Sequence, residues 1–318
     1  MTDLPGEYVD GVRTLLQDQA DRWLGELPGH VKRLLDDWRL TIADPDQPPM
    51  HGLCAIVLPV TTADGDKAVL KVGITGPDNH PEAEALRRWG GQGAVRLLRA
   101  APIIDGTRGV DHRGQWYGTN ALLLERLDSS RSLASVDHEL GAAVIGGLLR
   151  RLAIPVGDEP GILTRQNDTA ARWATELPAQ WERLGRPCER ELVDFAVATC
   201  QQLLVERPLL VHGDLHQHNV LAASNDSWLA LDPKGVAGEP EFDVLPALHN
   251  LWDDLVATGN TRRALLRRVA IIVEAGDLDG ERARRWSQAR AVDNLLGAVE
   301  DDDSDFAEMS HHIASWLT

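Results

Sequence analysis

"LLVHGDLHQHNVLA", residues 209–222, is followed closely by "SWLALDPKGV", residues 227–236. Each piece is a short apolar, β-prone run that delivers polar residues at its end. The first delivers His212, Asp214, His216, His218 and Asn219, and the second delivers Asp232. An Asp, four intervening residues and an Asn, then a strand ending in a second Asp, is what a phosphoryl-transfer site needs. One carboxylate contacts the acceptor hydroxyl, while the amide and the second carboxylate hold Mg²⁺ on the phosphates. Magnesium takes hard oxygen ligands and keeps several waters, so Asn219 and Asp232 with nucleotide oxygens suffice. A zinc hydrolase built on His212, His216 and His218 is the competing reading. It lacks an HExxH-type general base, and "HGD" reads as a turn rather than a helix.

The two pieces, read on through "VAGEPEFDV", resemble the catalytic segment of the aminoglycoside phosphotransferase family, bilobal relatives of the protein kinases. "DPKG" and the earlier "EALRRWGGQGAVRLL" are most similar to the streptomycin 6-phosphotransferase and hydroxyurea phosphotransferase branch, and the likeness covers most of residues 50–250. The resemblance implies Asp214 as catalytic base, Asn219 and Asp232 as Mg²⁺ ligands and His212 as a buttress of the loop. It also implies that Asp243 ties that loop to the following helix. Many members have Pro-Gly or a similar pair where this chain has Gln217-His218, which leaves the roles of those two open.

The family further needs a strand lysine for the α- and β-phosphates and a helix glutamate to hold it. "AVLKVG" supplies Lys71, which is costly to bury among Val69, Leu70 and Val72 without an acid. "PEAEAL" offers Glu82 and Glu84, and the family's Glu-to-Leu spacing favours Glu82 through Leu86. By the same resemblance the Glu125 carbonyl and the Leu127 amide, in "NALLLERLDSS", would bind adenine. The phosphate-covering loop is weak: "PPMHGLCA" offers only Gly52.

Texture along the chain agrees with an α+β, protein-kinase-like fold. Helical periodicity over Val9–Leu27 continues past Pro28-Gly29, and "LCAIVLPVT" and "KAVLKVG" flank the hairpin signal "ADGD". A helix is expected over Pro81–Trp89, a strand over Val95–Leu98, and a strand in "WYGTNALLLERL". Helices then dominate, at about 137–152, 168–184, 189–206, 241–257, 261–275, 280–299 and 304–317. The expected lobes are 1–127, an antiparallel sheet with a helical start, and 128–318, mainly helical.

Lys plus Arg number 32 against 49 Asp plus Glu, a formal charge of −17. That balance argues against nucleic-acid and membrane-surface partners and for a cationic small molecule. Cys54, Cys188 and Cys200 form no disulfide framework, and "MTDLPGEYVDG" has acids where a secretory leader is basic, so a cytoplasmic protein is expected. Ten tryptophans against two tyrosines and three phenylalanines have no explanation in the sequence beyond a core role. The resemblance implies ATP-dependent phosphorylation of a hydroxyl on a small polar molecule, with streptomycin or a related aminoglycoside (at O6) as the leading acceptor. A sugar or other metabolite kinase and a non-catalytic nucleotide-binding module are the alternatives. Streptomycin carries guanidinium groups, which acids pair well. Asp293 and Glu300 are the acceptor candidates by family position, while Asp301–Asp303 read equally as a solvated charge run.

Overall fold

The Asp64-Gly65 turn sets the register of the first sheet. Gly65 takes φ +88°, and the turn is closed by Gly65 N–H to the Thr62 carbonyl (3.0 Å) and Thr62 N–H to the Asp66 carbonyl (2.9 Å). A computed structural model describes residues 4–76, 79–102, 109–110, 116–157, 161–225 and 227–318. The chain divides into two compact units, one made of 1–91 with 95–127 and the other of 92–94 with 128–318.

In the first unit, helices α1 (Gly6–Leu16) and α2 (Ala20–Trp38) precede strands β1 (Thr41–Ile42), β2 (Met50–His51), β3 (Ala55–Thr61) and β4 (Lys67–Thr75). Helix α3 (Glu82–Trp89), β5 (Leu97–Pro102), β6 (Gly109–Val110) and β7 (Trp116–Glu125) complete it. The sheet order is β1-β3-β4-β7-β5, with β2 on β3, β6 on β7 and every pairing antiparallel. Tyr8, Val12, Leu16, Trp23, Leu27 and Val31 form one buried stripe of α1 and α2, packed with Ile56, Leu58, Leu70 and Val72 of the sheet. The stripe starts at Tyr8 rather than Val9, because a four-residue step from Tyr8 to Val12 to Leu16 keeps one face inward. Strand β5 begins at Leu97, two residues later than the sequence suggests. Arg96 is occupied by Glu125, whose N–H donates to the Arg96 carbonyl and whose side chain accepts from the Arg96 N–H.

In the second unit, β8 (Asp128–Ser132) leads to α4 (His138–Leu152), β9 (Ile154–Pro155), β10 (Thr164–Arg165), α5 (Gln166–Arg183) and α6 (Arg190–Gln202). Then come β11 (Leu209–Val211), β12 (Val220–Ala222), β13 (Trp228–Ala230) and β14 (Val236–Gly238). Helices α7 (Pro246–His249), α8 (Trp252–Ala257), α9 (Thr261–Gly276), α10 (Gly280–Glu300) and α11 (Ser304–Trp316) follow. Helix α10 carries the core through Trp286, Ala289, Val292 and Leu296, all fully buried. The small ladders β12–β13 and β11–β14 hold the polar segment between them in place.

One expected helix, 241–257, is broken into a 3₁₀ turn and the short helices α7 and α8. Arg268 of α9, buried beneath this segment, donates to the carbonyls of Ala247 (3.2 Å) and Asn250 (2.6 Å), and Leu251 adopts φ +55°. Carbonyls drawn to a guanidinium cannot continue a helical ladder.

Helices α4 and α9 approach closely at Gly146, where an added Cβ would lie 2.5 Å from the Ile272 carbonyl oxygen. Backbone cannot give way as a flexible side chain does. Gly146→Ala should therefore lower unfolding free energy by about 1–3 kcal/mol. The check is the denaturant midpoint at constant slope, and an unshifted midpoint would contradict the close approach.

Candidate active site

In the first unit, Lys71 on β4 sits opposite Val57 of β3 and Leu122 of β7, in the middle of the sheet. Its ammonium donates to both oxygens of Glu82, at 2.8 and 2.9 Å, and Glu82 is 2 % exposed. Glu84 instead pairs with Arg87 and Arg88 along the outer face of α3 (2.8 Å each), so the two glutamates separate by geometry. Glu125 ends β7, and Leu127 is the last residue of this unit.

In the second unit, the turn 212–215 is held by buried groups. Asp243 is fully buried; one carboxylate oxygen accepts from Gly213 N–H (2.8 Å), and the other accepts from Leu215 N–H at a longer 3.4 Å. Arg290 of α10 donates to the Phe242 carbonyl (2.7 Å) and the Gly213 carbonyl (3.1 Å) and lies 3.9 Å from Asp243. Its guanidinium also covers the Phe242 ring, 4.6 Å from the centroid. Burial pushes the Asp243 carboxyl up to about 6, against the pull of Arg290 and the two amides. Gly213 takes φ +86°, and a Cβ there would lie 2.8 Å from Val236, so glycine is required on both counts.

His212 is buried with both ring nitrogens used. Nε2 donates to the Leu231 carbonyl (2.7 Å), and Nδ1 accepts from Asp214 N–H (3.2 Å). That pattern fits a neutral ring, and burial holds its pKa down at about 4. A ring so engaged has no lone pair for zinc. Among the described residues no group of three or more His, Cys, Asp and Glu side chains is arranged to hold a metal ion.

Asp214 projects from this turn with its side chain 30 % exposed. Burial raises its pKa, but Lys234, 3.8 Å away, leads a set of positive charges that outweighs it and holds the carboxyl below its usual range. The sequence reading gave Lys234 no role, although its place in "DPKG" marked it. Its N–H donates to the His212 carbonyl (2.8 Å), which seats it against the turn. Asn219 donates through Nδ2 to the Asp214 carbonyl (3.1 Å), and its own carbonyl accepts from Leu231 N–H (2.8 Å). The β12–β13 ladder thus lays Asn219 beside the segment that ends in Asp232, which takes φ +56°. An amide oxygen and a carboxylate are hard donors of the kind a Mg²⁺ ion with nucleotide oxygens accepts.

The open pair resolves in two directions. Gln217 is 2 % exposed and its amide points to the Ala247 carbonyl (3.4 Å), a scaffold position. His218 is exposed and lines a cleft of about 650 Å³ with His249, Trp252, Asp253, Asp254, Asp305 and neighbouring residues. His249 lies within the field of Asp214, so this cleft adjoins the turn 212–215. Asp293 and Glu300, the sequence's acceptor candidates, are absent from its lining. Glu300 turns instead to Arg183 (2.8 Å) and Gln180 (3.0 Å), and Asp293 faces Cys200 and Arg290. Asp303 is both an N-cap, accepting from Phe306 N–H, and a cleft residue, so part of the apparent charge run has a structural task.

Burial also holds the His249 pKa down at about 4. Unfolded histidine binds its proton near 6.5. The unfolded state therefore holds more protons between pH 4 and 6.5, and this residue's contribution to stability is lost as pH falls through that window. His249→Phe should make the acid limb of the stability curve shallower by up to about 1.4 kcal/mol per pH unit. Denaturant titrations across this range check it; an unchanged slope would contradict the neutral buried ring.

Comparison with known proteins agrees with this geometry. A model of the aminoglycoside/hydroxyurea antibiotic resistance kinase family matches residues 39–303. The chain is 36 % identical over 304 residues to a streptomycin 6-kinase of Streptomyces glaucescens, covering 95 % of this chain and 92 % of the relative. It is also 36 % identical over 323 residues to a hydroxyurea phosphotransferase of Kitasatospora aureofaciens, covering 100 % of this chain and 86 % of the relative. Among solved structures, an amicoumacin kinase bound to AMP-PNP and Ca²⁺ superposes with a TM-score of 0.61 at 14 % identity, covering 95 % of this chain and 96 % of the other. A thermostable mutant of aminoglycoside phosphotransferase APH(4)-Ia with ADP and hygromycin B gives 0.58 at 12 % identity, covering 90 % and 96 %. At such identities these two show the fold alone, which is the α+β kinase-like one. The family match and the curated relatives go further: the chain belongs to the aminoglycoside/hydroxyurea antibiotic resistance kinases.

Proposed function

We propose that this protein is an ATP- and Mg²⁺-dependent phosphotransferase acting on a hydroxyl of a cationic aminoglycoside, with O6 of streptomycin as the leading acceptor position. The observation that carries the acceptor class is the cleft beside the catalytic turn. Its volume, about 650 Å³, is of a size that holds drug-sized ligands, and four aspartates line it with Trp252 and Phe306. Hydroxyurea, neutral and only a few atoms in size, would leave most of that space empty and the carboxylates unpaired. Guanidinium groups pair with carboxylates through parallel N–H···O bonds and stack on aromatic faces. Three cysteines with no paired spacing and the need for ATP support the cytoplasm as the site of action.

Each unit contributes its own part of the chemistry. Lys71, steadied by Glu82, is the residue for nucleotide phosphates, and Glu125 and Leu127 supply the backbone groups for adenine. Asn219 and Asp232 would hold Mg²⁺, which neutralises charge on the phosphates when bound. Asp214 orients the acceptor hydroxyl and takes its proton as the oxygen bonds to the γ-phosphorus of ATP, while the bond from that phosphorus to the bridging oxygen breaks and ADP leaves. The transition state is loose, so proton transfer comes late and orientation is the larger contribution. Lys234 keeps Asp214 ionised in the resting enzyme. Once Asp214 is neutralised by the hydroxyl proton, the ammonium of Lys234 faces the transferring phosphoryl oxygens with less competition, an interaction that strengthens toward the transition state.

Asp214→Asn should lower kcat by at least about 10³-fold while nucleotide binding persists. An ATP-consumption assay over streptomycin, other aminoglycosides, hydroxyurea and simple sugars, paired with nucleotide titration, checks both halves. Near-normal turnover by the Asn variant would remove Asp214 from the chemistry, and turnover of sugars alone would overturn the acceptor class. Lys234→Met should reduce kcat about 10- to 100-fold with little change in acceptor KM, and Lys234→Arg should recover part of the loss. A loss confined to KM would assign Lys234 to ground-state binding instead.

A further inference from the structure

A second hollow, about 540 Å³, shares Trp252 with the first cleft but is not lined by His218. Trp252, Asp253, Asp305 and Met309 line both hollows, so the two adjoin. Only the first is lined by a residue of the polar segment 212–219, His218. The second is built on a ladder of three rings. Trp252 of α8 stacks on Trp316 of α11 with centroids 6.0 Å apart and planes 19° apart. His312 stacks on Trp316 at 5.0 Å and 11°.

Packing does not account for this ladder. Trp23 and Trp286 serve the cores and are fully buried, whereas Trp252, Trp316 and His312 are each only half-buried. Large aromatic faces left partly in water are what ligand-binding hollows present. The charges beside them have a sign: Asp253, Asp305 and Glu308 line the hollow against the single guanidinium of Arg262. An aromatic shelf edged by carboxylates suits a saturated ring that bears a cation. Its C–H face lies on an indole, and its ammonium or guanidinium meets a carboxylate.

We propose that this second hollow is a distal acceptor subsite, holding the amino-sugar portion that lies beyond the ring being phosphorylated. The proposal rests on the reading that the first cleft receives the aminoglycoside. It also gives two of the ten tryptophans a task outside the core. Contacts to a remote ring form before the reaction and persist through it, so they act on KM rather than on the chemical step.

The test compares streptomycin with its isolated guanidinylated cyclitol ring, which reaches only the first cleft. In Trp316→Ala the ratio of KM for streptomycin to KM for the cyclitol should rise about tenfold over that of the unaltered protein. Glu308→Gln, an exposed change that does not disturb packing, should raise the same ratio by a smaller factor. Calorimetric titration of streptomycin into each variant without nucleotide should show the matching loss of affinity. An unchanged ratio in both variants, with streptomycin still phosphorylated, overturns the distal subsite and leaves the proposed function standing. If the unaltered protein phosphorylates neither compound, the proposed function fails and the subsite falls with it.

Discussion

The second unit is organised around a buried charge. Asp243, out of contact with water, reaches Gly213 and Leu215 through their amides, and Arg290 completes the clamp from α10 through the Gly213 and Phe242 carbonyls. A buried pair of this kind adds little to net stability, but removing one partner costs about 3–5 kcal/mol, because the other charge is left stranded. Its value lies in orientation. With the backbone of 213–215 fixed, Asp214 has one direction to face, and His212 fixes the other side by spending both ring nitrogens on backbone groups. Arg268 does comparable work beneath α7 and α8, where it bends a would-be helix into the wall of the acid cleft.

Electrostatics divides the same unit into two environments. The chain carries −17 overall, and four of its acids, Asp253, Asp254, Asp303 and Asp305, line the cleft, where a cationic acceptor would be drawn. The turn beside it is cationic: Lys234 and Arg290 hold Asp214 ionised in spite of its burial. In the proposed reaction a carboxylate that accepts a proton late, and phosphoryl oxygens met by positive charge, would both need that inversion of sign. The acids would attract a cationic substrate, and the two cations would prepare the reacting group.

The sequence was most legible where local chemistry and local geometry coincide. Asp214, Asn219 and Asp232 lie just beyond the ends of short ladders close together in sequence, so their spacing already carried the arrangement, and the Asp64-Gly65 hairpin was readable from its dipeptide. Lys71 and Glu82 lie eleven positions apart, close enough for a strand-to-helix step to be inferred. Contacts made by distant segments were not legible. The cleft joins His218 to Phe306 and Met309 across three helices, and nothing near Glu300 foretold its pairing with Arg183 from α5. The broken helix at 241–257 was hidden for the same reason, since the arginine that breaks it comes from α9. Lys234 was visible in "DPKG", but its meaning depended on the His212 carbonyl that seats it.

In the proposed mechanism the acceptor hydroxyl meets Asp214 from the acid cleft. A crystal structure with Mg²⁺, a non-hydrolysable ATP analogue and streptomycin measures this directly. The expected complex has one acceptor hydroxyl within hydrogen-bond distance of the Asp214 carboxylate, the guanidinium groups on aspartates of the cleft, and the metal on Asn219 and Asp232. A ternary complex with the acceptor bound away from this cleft, or with Asp214 turned from every acceptor oxygen, would contradict it.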